Sequence, residues 1–170
     1  MSQLTEEIDP FDDVSNPLDS IEDILFNNEW NFDRPTEDEL SVTVTGKMGS
    51  YAMRFLWQED FSAMQFTCTY DLCIPKGRLG EAAIAASAIN SKLWLGHFDI
   101  RPDTKEPCFR HTTLFRGVTG CSGAEHIEDL VDIALSECER YYSAFDLLSR
   151  SEKSQDGDLS LAMMDSAGAA

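Results

Sequence analysis

Residues 40–72, LSVTVTGKMGSYAMRFLWQEDFSAMQFTCTYDL, alternate between apolar and polar side chains in three successive runs. The runs are separated by short turn sequences at residues 46–49 and 58–60. Alternation with a period of two is typical of a strand that buries one face, and short links favour antiparallel pairing. We therefore predict a three-stranded meander. The buried face of its second and third strands would comprise Tyr51, Met53, Phe55, Trp57, Met64, Phe66, Cys68, Tyr70 and Leu72.

Helical patterns lie on both sides of this meander. Asn16 and Pro17 are typical helix-start residues, and apolar side chains at helical spacing predict a first helix that ends near Asn28. A second helix is predicted over residues 79–95, and a long amphipathic helix over residues 124–148. The inward stripe of the second helix would comprise Leu79, Ala82, Ala83, Ala86, Ile89, Asn90 and Leu93.

Two short strands are predicted between these helices, over residues 97–101 and 108–116. A further short strand is expected near residues 30–33, and Pro35 would end its pairing. The expected fold is therefore α+β, with an antiparallel sheet of about five strands packed against helices. The expected order is helix, three strands or four with the extra one, helix, two strands, helix.

The chain divides into three regions. Residues 1–15 carry five acidic side chains and no basic one, and this polarity predicts a mobile acidic tail. Residues 16–148 form a single predicted domain. Residues 149–170 read as a polar linker and a weakly helical C-terminal tail, whose apolar positions would either dock or fray.

The net charge narrows the classes of function. The 170 residues contain 13 Lys and Arg against 31 Asp and Glu, which gives a formal charge of −18. Such a chain is repelled by nucleic-acid phosphates and anionic lipid, so neither partner is expected. A segregated basic patch could reverse this for nucleic acid, and its candidates are Arg101, Lys105, Arg110 and Arg116. With no apolar run long enough for a membrane helix and no secretory signal pattern, we expect a cytoplasmic protein.

The cysteines and the catalytic motifs give no sign of an enzyme. Five cysteines without a CxxC pair are expected to be reduced thiols, with Cys68 and Cys138 in the core. The sequence lacks GxxxxGK[ST], GxGxxG, HExxH and GxSxG patterns, so no catalytic residue and no cofactor are predicted. One cluster leaves an alternative open. His97, Asp99 and His111 on neighbouring strands could bind a metal in a small-molecule or metal-dependent sensor or enzyme.

Four segments resemble the YbjN-like domain family of bacteria. They are NSKLWLGHFD (90–99), CTYDLCIP (68–75), PCFRHTTLFRG (107–117) and EDLVDIALSECERYYSAF (128–145). The resemblance covers residues 17–148. It implies an α+β fold similar to the type III secretion chaperones and a role described as sensory transduction regulation, with no catalytic residues. Secretion chaperones of that fold are small acidic homodimers that bind extended segments of partner proteins.

The leading hypothesis is a non-catalytic protein-binding module with regulatory or chaperone-like action. A segment of an unidentified protein partner would lie along the sheet face or pair with an exposed strand edge. A homodimer stays open, since no heptad pattern specifies one. The alternative for every candidate side chain is core packing, or fixing the junction between helix and strand. The candidate partner-binding residues are Phe55, Trp57, Phe66, Tyr70, Trp94, Leu95, His97 and Phe98.

Overall fold

The computed structural model describes residues 16–115, 123–150 and 156–164. The four helices in this part of the chain are α1 (Leu18–Asn27), α2 (Leu79–Asn90), α3 (Gly123–Ser149) and α4 (Asp156–Met163). The six strands in it are β1 (Phe32–Thr36), β2 (Glu39–Thr45), β3 (Ser50–Gln58), β4 (Ala63–Tyr70), β5 (His97–Ile100) and β6 (Pro107–Leu114).

All six strands form one antiparallel sheet in the order β1-β2-β3-β4-β6-β5. The α+β class predicted from the sequence is confirmed, but the sheet has six strands rather than five. The additional strand is β1, which continues through Pro35 instead of stopping before it. Proline is tolerated there because β1 is an edge strand, and its pairing with β2 is irregular between Asp33 and Thr36.

One face of the sheet carries the core. Phe55 of β3 lies opposite Phe66 of β4, which in turn lies opposite His111 of β6, so these side chains share a face. Helix α3 packs on this face. The Tyr70 hydroxyl donates a 2.8 Å hydrogen bond to the backbone carbonyl of Cys138. Cys68 and Cys138 are fully buried, as expected, and no disulfide joins any of the four described cysteines.

Helix α2 ends earlier than predicted. The sequence indicates helix to residue 95, whereas the structure ends it at Asn90 and continues in a turn to β5. Gly96 makes that turn with a φ of +66°, and a Cβ at this position would lie 2.2 Å from the ring of Phe109. The inward stripe also differs from expectation, because Ala85 is buried and Ala83 is exposed.

The segments outside the sheet have mixed outcomes. The predicted tail over residues 1–15, Arg116 and Cys121 lie outside the described residues. Helix α4 packs against α3, and its Leu159 and Met163 contact the core. Within the described ranges, no helix combines the length and apolar character needed to cross a membrane.

Candidate partner-binding groove

The eight predicted site residues fall into two groups. Five are buried at 5% exposure or less and belong to the core: Phe55, Trp57, Phe66, Tyr70 and Phe98. Trp94 is 80% exposed, Leu95 is half-buried and His97 is exposed. Only the second group therefore exposes its side chains to solvent, and recognition by any of the eight stays a prediction.

Trp94 and Leu95 line a groove of about 370 Å³. The groove lies between the turn that follows α2, the end of β6 and the first turns of α3. Its other lining residues are His111, Thr113, Leu114, Phe115, His126, Asp129, Leu130 and Ile133. The walls are mainly apolar with a few polar groups, which is the usual composition of a protein or ligand site.

The local sequence explains why this groove is open. His111 and Thr113 face the helices from β6, and both are only half-buried. Neither side chain is large and apolar, and both stay partly open, whereas Phe109 on the same face is fully buried. On the other side, the turn at Gly96 brings Trp94 beside the end of the sheet without burying its ring.

His111 gives the groove a titratable group. Burial lowers the pKa of this imidazole below its ordinary value, and the nearby His97 lowers it further. The lowered pKa favours the neutral imidazole on the β6 side of the groove. His126 and Asp129 of α3 supply exposed polar groups at the rim.

The proposed metal cluster does not assemble. His97 lies opposite Arg110, and Asp99 forms a 3.1 Å ion pair with that arginine on the outer face of the sheet. His111 follows Arg110 in β6 and points to the other face. Among the described residues, no group of three or more His, Cys, Asp or Glu side chains could hold a metal ion. The alternative function receives no support from this arrangement.

The two described arginines of the hairpin, Arg101 and Arg110, are paired with acidic side chains. Arg101 pairs with Asp103 at 3.1 Å and with Glu106 at 3.7 Å. Lys105 donates to the backbone carbonyl of Pro102. A basic surface that could overcome the overall acidity is therefore not formed by the described part of this hairpin.

Asn90 occupies the outer edge of β5. Its amide nitrogen donates to the Phe98 carbonyl at 3.0 Å, and its amide oxygen accepts from the Phe98 N–H at 2.7 Å. Because β5 is the last strand of the sheet, an added strand would have to displace this side chain. The opposite edge strand contains Pro35 and an irregular register. Both edges are poor sites for pairing with a partner strand.

Sequence reasoning missed several residues of the groove and its surroundings. Leu114 is 63% exposed and Ile133 is half-buried, and both line the groove without a local pattern that marks them. Asn90 was predicted only as a member of the inward stripe of the second helix, although an amide within an apolar stripe is a signal for a buried hydrogen-bonding role. The sequence could not indicate that its partner is the backbone of Phe98.

The fold is that of an α+β protein with an exposed tryptophan beside an apolar groove. Residues 17–147 match the YbjN family, whose description is "Putative bacterial sensory transduction regulator". The match spans most of the chain, which therefore belongs to the YbjN family. The family resemblance expected from the sequence is confirmed.

The solved structures that are similar to this chain include two with the following descriptions. One is described as "Crystal structure of YbjN, a putative transcription regulator from E. coli", at 14% identity and a TM-score of 0.49. The alignment covers 74% of this chain and 93% of that chain. The other is the ExsC–ExsE complex, at 12% identity and a TM-score of 0.41, covering 66% of this chain and 78% of that chain. None of the curated proteins matches the sequence.

Proposed function

We propose that this protein is a non-catalytic regulator that binds a segment of a partner protein in the groove beside Trp94. The action on the partner is regulatory or chaperone-like. Membership of the YbjN family supports a regulatory class, and the family description names no reaction. Cytoplasmic location and homodimer formation are further parts of the proposal.

One observation carries this proposal. Trp94 exposes 80% of its surface next to an apolar groove whose other side includes Leu114, itself 63% exposed. An exposed tryptophan beside a concave apolar surface is typical of a protein interface, because aromatic anchors supply much of the binding energy there.

The proposed mechanism is insertion of an apolar partner side chain into the groove. Trp94 would cover this side chain from the solvent side, and Leu130 and Ile133 of α3 would contact it from below. The neutral state of His111 favours such an occupant, since a charged imidazole would have to lose its hydration. Addition of a strand to the sheet is a weaker route, because Asn90 holds the outer edge of β5.

The test compares two exposed aromatic residues. Tagged wild type, Trp94→Ala and Phe26→Ala are isolated from native lysate at moderate salt, and bound proteins are quantified by mass spectrometry. Phe26 is a matched control because it is 76% exposed and lies on α1, outside the groove lining. We expect one dominant partner near equal stoichiometry that is lost with Trp94→Ala and kept with Phe26→Ala. Equal recovery with both variants would remove the groove from the proposal.

A further inference from the structure

A second groove lies between α1 and α3 and has a different character. Its volume is about 290 Å³. Ile24 and Trp30 line it while remaining half-buried, and Phe55 lies at its base. The remaining lining residues are Ile21, Leu25, Asn28, Ile127, Glu128, Val131 and Asp132. The groove is therefore an apolar cleft with two carboxylates on one rim.

The charge around this groove has one sign. Glu128 and Asp132 are exposed and lie four residues apart on α3, so they are neighbours on one helix face. No lysine or arginine lines the groove. Helix α1 contains three acidic residues and no basic one, and α3 contains seven acidic residues and one arginine.

The basic side chain of β1 that contacts α1 is already paired. Arg34 of β1 contacts Asp19 at 2.8 Å and also pairs with Glu22, both on α1. Hydrogen bonding to Asp19 and Glu22 raises the pKa of Arg34 above its ordinary value, despite partial burial. Glu128 and Asp132 have no ion pair with any described lysine or arginine within 4.0 Å.

We infer that this second groove binds a basic amphipathic segment of a protein partner, with an apolar side chain in the cleft and lysine or arginine beside Glu128 and Asp132. The inference rests on the proposed function in taking a protein segment as the ligand, and it adds the chemistry of that segment. Charge complementarity selects this occupant, because opposite charges at the rim accelerate encounter and exclude acidic competitors.

The same charge argument disfavours two other occupants. Residues 1–15 of this chain contain five acidic residues and no basic one, so the rim repels them. A second copy of the chain brings a formal charge of −18 to a groove that is itself acidic. Both occupants are included in the test as outcomes that would overturn the inference.

The probe is a short fluorescein-labelled peptide in which leucine and lysine alternate at helical spacing. The same peptide with glutamate in place of every lysine is the charge control. Fluorescence anisotropy of the full chain with the lysine peptide should show binding that weakens as salt rises from about 50 mM to about 500 mM. The glutamate peptide should not bind.

Matched variants separate the groove from the overall acidity of the chain. Glu128→Gln with Asp132→Asn should weaken binding of the lysine peptide by about tenfold, a loss expected for two surface charge contacts. Glu59→Gln with Asp60→Asn removes the same charge from an exposed turn outside the groove, and should change binding by less than about twofold. Equal loss in both double variants would show general charge attraction and would overturn the inference.

Tryptophan emission locates the bound peptide. Trp30 lines this groove and Trp94 lines the other one, so a blue shift on binding should disappear in Trp30→Phe and persist in Trp94→Phe. A shift that depends on Trp94 would overturn the inference. Displacement of the lysine peptide by a synthetic peptide of residues 1–15 would also overturn the inference. Self-association of the chain that displaces the lysine peptide and is abolished by Glu128→Gln would overturn it as well.

Failure here is distinguishable from failure of the proposed function. If the lysine peptide does not bind while the cellular partner is still captured through Trp94, the inference about the second groove is wrong and the proposed function stands. If the lysine peptide binds at Trp30 while Trp94→Ala does not change isolation of the cellular partner, the inference about the second groove is supported and the proposed role of the first groove is wrong.

Discussion

Asn90→Ala should destabilise the fold through the edge of β5. The variant removes the two hydrogen bonds, 2.7 and 3.0 Å long, that join the Asn90 amide to the backbone of Phe98. Phe98 is 2% exposed, so its N–H and C=O would be left poorly solvated. Each lost bond costs about 1–1.5 kcal/mol, and the better helix propensity of alanine returns about 0.5 kcal/mol. The net loss is about 2 kcal/mol.

Urea unfolding followed by circular dichroism measures this loss. Asn90→Asp keeps an acceptor for the Phe98 N–H but has no donor for the Phe98 carbonyl, so it should lie between wild type and Asn90→Ala. Ser87→Ala, an exposed position three residues earlier on α2, should change stability by less than about 0.5 kcal/mol. Amide exchange at Phe98 should accelerate in Asn90→Ala. A free energy of unfolding within about 0.5 kcal/mol of wild type would refute the role assigned to Asn90.

Four further predictions concern separate parts of the fold. Arg78→Met should lower the free energy of unfolding in urea by about 3–5 kcal/mol, because this 3% exposed guanidinium pairs with Glu81 and donates to backbone carbonyls at the end of α3. A decrease under about 1 kcal/mol would contradict this prediction. Glu139→Gln should cost about 1–2 kcal/mol by the same assay, since the carboxylate accepts from two N–H groups of the β2–β3 turn and from a tyrosine hydroxyl at 2.7 Å. Gly96→Ala should lower stability by about 2–4 kcal/mol, measured by thermal melting, because the left-handed backbone and the adjacent ring both oppose a Cβ. The pKa of His111 is lower in the folded state than in the unfolded state, so as pH drops the unfolded chain is protonated at a higher pH than the folded one. The free energy of unfolding should therefore decrease as pH drops below about 6.5, and His111→Gln should flatten that part of the pH profile of urea unfolding.

Much of the sheet was predictable from the sequence. Alternation over residues 40–72 fixed which side chains of β2, β3 and β4 are buried, because a strand has a strict period of two. The same rule applied to residues 108–116 places Phe109, His111 and Thr113 on one face of β6, in agreement with the pairing with β4. The pairing partners themselves are long-range contacts that no local pattern specifies.

The errors have identifiable physical causes. The end of α2 was placed too late because residues 91–95 are compatible with a helix, and the deciding interactions are those of Asn90 with Phe98 and of Gly96 with Phe109. The strand β1 was truncated because Pro35 disfavours a central strand, while its edge position depends on the tertiary arrangement.

The candidate site was predictable only in part. Trp94 and Leu95 emerged from their segment, but the groove also needs Leu114 from β6 and Ile133 from α3. These side chains meet because β6 enters the sheet next to β4 and α3 crosses the sheet nearby. A local sequence pattern does not specify such long-range contacts. The sequence therefore could not separate the five buried aromatic residues from the exposed Trp94, and all six were proposed as site residues.

The position of β6 between β4 and β5 has a consequence for synthesis on the ribosome. The strand β5 is made first yet pairs only with β6, and the apolar face of β3 and β4 has no α3 to cover it until residue 149 has been added. At the usual bacterial rates of elongation, residues 71–149 take roughly 4–16 s to synthesise. For that interval the nascent chain exposes aromatic rows such as Phe55 and Phe66 to solvent, and any premature stop before α3 makes that exposure permanent.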